Sequence, residues 1–146
     1  MTIAITGATG HLGRLAIAAL KARGATPIAL ARDPAKAADL GVETRAFDYT
    51  SADPAALKGV DTLVLISSND FNDRAGQHRN VIAAASAAGV KRLVYTSILK
   101  GERSPMILAQ DHIATEAAIR AAGIPATFFH DAASTEIYTG ALAAAV

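Results

Sequence analysis

The sequence predicts a doubly wound parallel α/β fold, and three observations carry that prediction. Short apolar runs alternate with longer helical patterns along the chain, the central runs are apolar at successive positions ("TLVLIS", "RLVYTS"), and a glycine follows nearly every helix-like stretch. Repeated strand–helix alternation specifies a parallel sheet with helices on its faces. Continuous apolar runs belong to strands covered on both sides. At 146 residues the chain has the length of one domain, residues 1–146 throughout, and can bury roughly 70% of its unfolded surface.

The elements follow in order. Strand 3–6 runs into three glycines, Gly7, Gly10 and Gly13, which open an alanine-rich helix over 11–22. Strand 27–31 is followed by Asp33-Pro34, an N-cap and first-turn proline for a short helix at 34–39. Strand 43–47 and a short helix at 54–57 lead to strand 62–66. Helix 74–88, strand 92–96, helix 107–122 and strand 126–130 complete the alternation. Gly24, Gly41, Gly59, Gly89 and Gly123 fall just past helix-like runs, where a left-handed residue is wanted. The tail "TGALAAAV" reads as helical.

Composition excludes several function classes. Net charge is +1 and the basic residues do not cluster, so neither nucleic acid nor a membrane surface is an expected partner. There is no cysteine for a disulfide, thiolate zinc site or thiol nucleophile. No apolar stretch is long enough to span a bilayer, and the N-terminus lacks the features of a signal peptide, which predicts a reducing, cytoplasmic setting. The polar run "SSNDFNDRAGQH" contains Asp70, Asp73 and His78 but no paired ligand spacing. It reads as a solvated loop capping the helix that follows, and no metal is expected. Tyr95, inside an apolar strand, reads as core.

In the opening stretch a buried strand must turn sharply into a helix. Gly7 permits the turn, Gly10 lets backbone amides approach a pyrophosphate, and Gly13 lets the helix pack closely on the sheet. The helix start offers free N–H groups and a positive dipole end. The triplet alone also fits an ordinary glycine-rich turn; its place between first strand and first helix favours a nucleotide. At the end of the second strand, where NAD-specific sites place an acid, stand Ala31 and Arg32, with Lys36 nearby. A 2′-phosphate would meet a guanidinium and no opposing carboxylate at the strand tip, which favours NADP(H). The same residues also fit a solvated surface arginine.

"TGATGHLG", "ARDPAK", "FDY", "LISS", "RAGQHRNVIAAASAAGVKRLVYTSILK" and "SPMILAQDHIATE", in that order, resemble the atypical short-chain dehydrogenase/reductases. Within them the likeness is to the NmrA-like group and its type 2 NAD(P)H:quinone oxidoreductases, from Met1 to about Thr127. The resemblance implies a Rossmann-type domain binding NADPH. Gly7, Thr9, Gly10, His11 and Leu12 would form the phosphate turn and Arg32 would meet the 2′-phosphate. Asp48 and Tyr49 would flank the adenine. Ser67 and Ser68 would border the cofactor after the fourth strand, and Thr96 and Ser97 after the fifth.

Classical members of that superfamily carry a Tyr-x-x-x-Lys pair on a helix. Here those positions are Leu108 and His112, so no tyrosine donates a proton there. His112 is the candidate for the ribose-holding role of the lysine, with a plain helix-surface histidine as the alternative. A quinone tolerates this loss, because its reduction product delocalises charge and positioning supplies much of the rate. Family members continue well beyond the sixth strand with a substrate region that begins with an Arg-Asn-Gly segment. Here His130-Asp131-Ala132-Ala133-Ser134 takes its place. The expectation is a domain lacking that region, with an apolar face whose exposure would favour a homodimer. Two functions follow: hydride transfer from NADPH to a small quinone-like acceptor, or an NADP(H)-binding, redox-sensing module or remnant without turnover.

Overall fold

The computed structural model describes residues 1–68, 72–96, 105–129, 140, 144 and 146. All six predicted strands form: β1 (Ile3–Ile5), β2 (Ile28–Ala31), β3 (Thr44–Ala46), β4 (Thr62–Ile66), β5 (Arg92–Thr96) and β6 (Ala126–Phe129). Every neighbouring pair is parallel, in the order β3-β2-β1-β4-β5-β6. The order runs outward in both directions from the β1–β4 pair. Right-handed crossovers therefore place helices on opposite faces, and the loops part at the carboxyl ends of β1 and β4.

Helices α1 (His11–Ala22), α2 (Arg74–Ala88) and α3 (Pro105–Ala122) cover the sheet. Side chains alternate between its faces as the pleat requires. Ile3, Ile5, Ala29, Val64 and Val94 pack toward Ala16, Ile17 and Leu20 of α1. Ala4, Ile28, Leu30, Leu63, Leu65, Leu93 and Tyr95 meet Val81, Ile82 and Ala85 of α2 and Ile119 of α3. Both layers are almost wholly dry, and each buried Leu or Ile contributes about 1.5–3 kcal/mol relative to exposure.

Some boundaries differ from the sequence reading. The segment expected as helix 34–39 forms a 3-10 helix, Pro34–Leu40, and so does Pro54–Leu57. Each begins at an aspartate whose Oδ1 accepts the amide two residues on, Ala35 at 3.1 Å from Asp33 and Ala55 at 2.9 Å from Asp53. Each buries a single residue, Ala37 or Leu57, so little packing rewards a wider α-helical turn. α3 starts at Pro105 rather than 107; proline lacks the N–H that a first-turn residue has no use for. The five glycines expected past helix-like runs adopt φ between 66° and 83°. His130 and most of the predicted helical tail lie outside the described residues.

The turn from β1 into α1 is closed on backbone. Gly7 has φ +60°, and its carbonyl accepts the Gly10 amide at 3.0 Å. A Cβ at Gly13 would run into the Gly7 carbonyl oxygen and lie 2.8 Å from the Ala8 Cα. Both obstacles are backbone, which cannot rotate away. Gly13→Ala is expected to destabilise the fold by about 1–3 kcal/mol, read from the urea midpoint; an unchanged midpoint would show that the helix can shift freely.

Candidate functional site

The carboxyl ends of β1, β2, β3 and β4 converge on one edge of the sheet. At its centre, the first turn of α1 has Gly10 as N-cap, with no side-chain capping bond and no acidic residue. Its leading amides and dipole are therefore available to an anion. A Cβ at Gly10 would meet only the Gly7 carbonyl within 4 Å, at 3.4 Å, so the space over this residue is open. Thr9 and Leu12 are half-buried and His11 is exposed around this opening. A pyrophosphate fits such a cradle.

Beside the cradle lies a cleft of about 230 Å³ lined by Arg32, Asp48, Tyr49, Thr50, Ser67, Ser68 and Gln77. A larger open depression of about 550 Å³, lined by Lys21, Gly24, Thr26, Gly41 and Glu43 among others, lies where β2 and β3 begin, away from the cradle. Arg32 is exposed after β2, as a group meeting a phosphate must be. One expectation needs correction: the arginine does face a carboxylate. Asp48 arrives from β3, the strand paired with β2, and lines the same cleft. The Thr50 amide and hydroxyl, both 2.8 Å from Asp48 Oδ1, hold its carboxyl below the usual carboxylate range, and the Arg32 charge adds to this. A 2′-phosphate here would meet one cation tempered by one anion, with Lys36 exposed on the neighbouring 3-10 helix.

The cleft floor rests on buried polar groups. Tyr49 turns its hydroxyl between the ends of β1 and β4, donating to the Ile66 carbonyl at 2.6 Å and lying 2.8 Å from Thr6 Oγ1. Thr6 Oγ1 in turn accepts the Ile66 amide at 2.9 Å. The two central strands are thereby tied together where their chains diverge, and burial pushes the Tyr49 phenol well above its ordinary range. Asn80 Nδ2 donates to the Tyr49 carbonyl at 3.0 Å and fixes the loop to α2.

The expected solvated segment before and within α2 is exposed at Asn72 and Asp73, but Arg74, Gln77 and His78 are buried. This corrects the sequence reading. His78 Nε2 accepts the Ser68 amide at 2.9 Å, and its Nδ1 lies 2.9 Å from Thr115 Oγ1 on α3. An Nε2 that accepts carries no proton, so the neutral ring is protonated at Nδ1 and donates to Thr115. The Ser68 hydroxyl donates to Gln77 Oε1 at 2.5 Å. Rings follow one another edge to face from Tyr49 to His78 to Tyr95 to His112, with centroids 6.4, 5.6 and 5.3 Å apart. Burial raises the Tyr95 phenol above its ordinary range, with the Ser67 and Thr115 side chains beside it acting in the opposite direction, so β5 and α3 both meet the loop after β4. Arg74, 3.6 Å from Asp111, adds an ion pair between α2 and α3.

The structure thus gathers Arg32, Asp48, Tyr49, Ser67 and Ser68 in one cleft beside Gly7, Thr9, Gly10, His11 and Leu12. Thr96 is buried at the end of β5, 3.5 Å from the Leu65 carbonyl. Ser97 and the segment 97–104 lie outside the described residues, as do Asp70, residues 130–139 and the Leu108 side chain. His112 is half-buried against Tyr95, two rings beyond His78 and apart from the cleft. Among the described residues no group of three or more His, Asp or Glu side chains is placed to hold a metal ion, and no helix is long and apolar enough to cross a membrane.

Burial first, then the charges of Arg74 and His112, push His78 down to about 3 from an ordinary 6.5. The neutral ring stabilises the fold fully above pH 6.5. As pH falls from 6.5 toward 3 the unfolded chain takes up a proton that the folded chain refuses, at a cost of about 1.4 kcal/mol per pH unit. In urea titrations at pH 6, 5 and 4, His78→Gln should lose stability with acidification less steeply than the parent, by about one proton. Parallel pH dependences would overturn this assignment.

Comparison with known proteins agrees with this geometry. Over 151 aligned residues the chain is 46% identical to quinone oxidoreductase 2 of Escherichia coli, covering 99% of this chain and 53% of that protein. It superposes on the E. coli NADPH-dependent quinone oxidoreductase in complex with NADPH with a TM-score of 0.77, at 47% identity over 86% of this chain and 47% of that one. The triphenylmethane reductase of Citrobacter sp. complexed with NADP(H) also gives 0.77, at 42% identity over 94% of this chain and 52% of that one. The chain spans about half the length of these relatives. The model of the NAD(P)H-binding family matches residues 7–138, from the first glycine of the cradle to beyond β6, and the chain belongs to that family.

Proposed function

We propose that this chain binds NADPH and serves a reductase that passes hydride to a quinone-type acceptor. The observation that carries the reading is the uncapped, glycine-lined start of α1 set beside a cleft that holds Arg32. The likeness to the NADPH-bound E. coli quinone oxidoreductase supports it. In this reading the first-turn amides at His11 and Leu12 bind the pyrophosphate, and Arg32 with Lys36 takes the 2′-phosphate. Asp48 and Tyr49 flank the adenine, Ser67 and Ser68 border the cofactor after β4, the Thr96-Ser97 step borders it after β5, and His112 takes the ribose-holding role. The reduced nicotinamide supplies the hydride. The protein's contribution is to hold it in position and exclude water, which suffices for an electron-poor acceptor whose product oxyanion is delocalised. The acceptor is a small molecule, and the setting we assign is the cytoplasm.

A second reading, an NADP(H)-binding redox sensor without turnover, draws on one feature. The positions of the superfamily's Tyr-x-x-x-Lys pair hold Leu108 and His112. NADPH oxidation followed by absorbance across a benzoquinone and naphthoquinone panel separates the two. Saturable turnover is the expected outcome; tight NADPH binding with no turnover on any acceptor would leave the sensor.

Arg32→Ala should weaken NADPH by about tenfold or more, the effect of losing one charge-assisted contact, and NADH by much less. Equal losses for both cofactors would rule out the 2′-phosphate role of Arg32.

A further inference from the structure

Arg14 follows Gly13 in the first turn of α1 and makes contacts to two separate segments. Its Nε donates to the Thr9 carbonyl at 3.1 Å, within the phosphate turn. Its Nη2 donates to the Lys36 carbonyl at 2.8 Å, and its Nη1 pairs with Asp39 Oδ2 at 2.8 Å. The last two acceptors belong to the Pro34–Leu40 3-10 helix that follows Arg32. One planar fork thus spans the turn that would hold the pyrophosphate and the segment that would hold the 2′-phosphate.

We propose that Arg14 is a positioning residue that fixes the distance between these two phosphate subsites and thereby sets the preference for a dinucleotide bearing a 2′-phosphate. The inference rests on the NADPH reading above. The guanidinium suits this task because its donors leave in fixed, coplanar directions, whereas a lysine ammonium at the same place is a swivelling point charge. The contact is not a stability device: the Arg14 and Asp39 side chains are 37% and 70% exposed, and a pair so solvated is worth little to the fold. The 3-10 helix fully buries only Ala37, with Leu40 half-buried against the same core, so its placement relative to α1 draws on side-chain ties as well as packing: Arg14 near its start and Lys21 Nζ on the Leu40 carbonyl, 2.9 Å away, at its end. The positive charge against the Thr9 carbonyl also offsets that oxygen's repulsion of a neighbouring phosphate.

A ligand that touches both subsites feels the clamp most; a ligand that touches one feels it little. Calorimetric titration of the full chain with NADPH, NADH and adenosine 2′-monophosphate tests this directly. In Arg14→Gln, NADPH affinity should fall about tenfold, while NADH and adenosine 2′-monophosphate each change by less than about threefold. Arg14→Lys should fail to restore NADPH affinity, because charge without the fork does not span both carbonyls. Asp39→Asn, an exposed change that leaves the core untouched, should shift NADPH in the same direction by a smaller factor of about two to three. Equal weakening of all three ligands, or full rescue by Arg14→Lys, would overturn the clamp. Unchanged NADPH binding in Arg14→Gln overturns it while leaving the NADPH reading intact. A parent chain that does not bind NADPH overturns both.

Discussion

The contact between Gly13 and the backbone of Gly7 and Ala8 sets the position of everything at the site. With no Cβ on Gly13, α1 settles directly onto the end of β1. Ala16, Ile17 and Leu20 then reach Ile3, Ile5 and Ala29 without a gap. The same seating leaves the first-turn amides of α1 directed out of the sheet edge, because Gly10 offers no side chain to cap them. It also places Arg14, the next residue, where it can reach Thr9 and the 3-10 helix at once. A helix displaced by the width of a methyl group would lose all three arrangements together.

On the other face of the sheet the constraint is polar rather than steric. Tyr49, Thr6 and Ile66 tie β1 to β4 at the point where the chain's crossovers part, and His78 holds the Ser68 amide at the next step of the same loop. Leaving a buried donor or acceptor unpaired costs about 1–3 kcal/mol, so this network has few alternative arrangements. Its hydrogen bonds hold Ser68, by its amide and its hydroxyl, at the edge of the cleft. The desolvation that keeps His78 neutral also keeps its Nε2 lone pair available to Ser68; a protonated ring would turn a donor toward a donor.

Much of this was legible in the residues. The apolar runs named the four inner strands β1, β2, β4 and β5, since doubly covered parallel strands have no polar face to interrupt them, whereas edge strand β3, Thr44–Ala46, carries no such run. The glycines named the turn and the helix ends. The buried part of α2 is hidden from a residue-by-residue reading, because Arg74, Gln77 and His78 on average prefer solvent. Their spacing with Val81, Ile82 and Ala85, at steps of three and four, continues one helical stripe and was the available signal. The Asp48–Arg32 juxtaposition had no such local signal. It depends on β3 pairing with β2 in a register that brings Ala46 beside Ala31. The Arg14 tie, 22 residues from its acceptor at Lys36, was invisible for the same reason.

The mixed charge of the cleft bears on how a cofactor would be chosen. Were Arg32 alone, its charge would favour a 2′-phosphate wherever in the cleft it lay, and geometry would matter little. Asp48 on the same wall removes that latitude, because a phosphate displaced toward it loses by repulsion what it gains from the arginine. Selection then depends on where the basic groups of the β2 loop stand relative to the pyrophosphate turn, which is a matter of distance more than of net charge. The 3-10 helix carrying Lys36 has little packing to hold that distance, Ala37 being fully buried and Leu40 half-buried. A side chain that bonds both segments is the means the fold provides, so specificity at the exposed rim and the buried close approach at Gly13 belong to one mechanical unit.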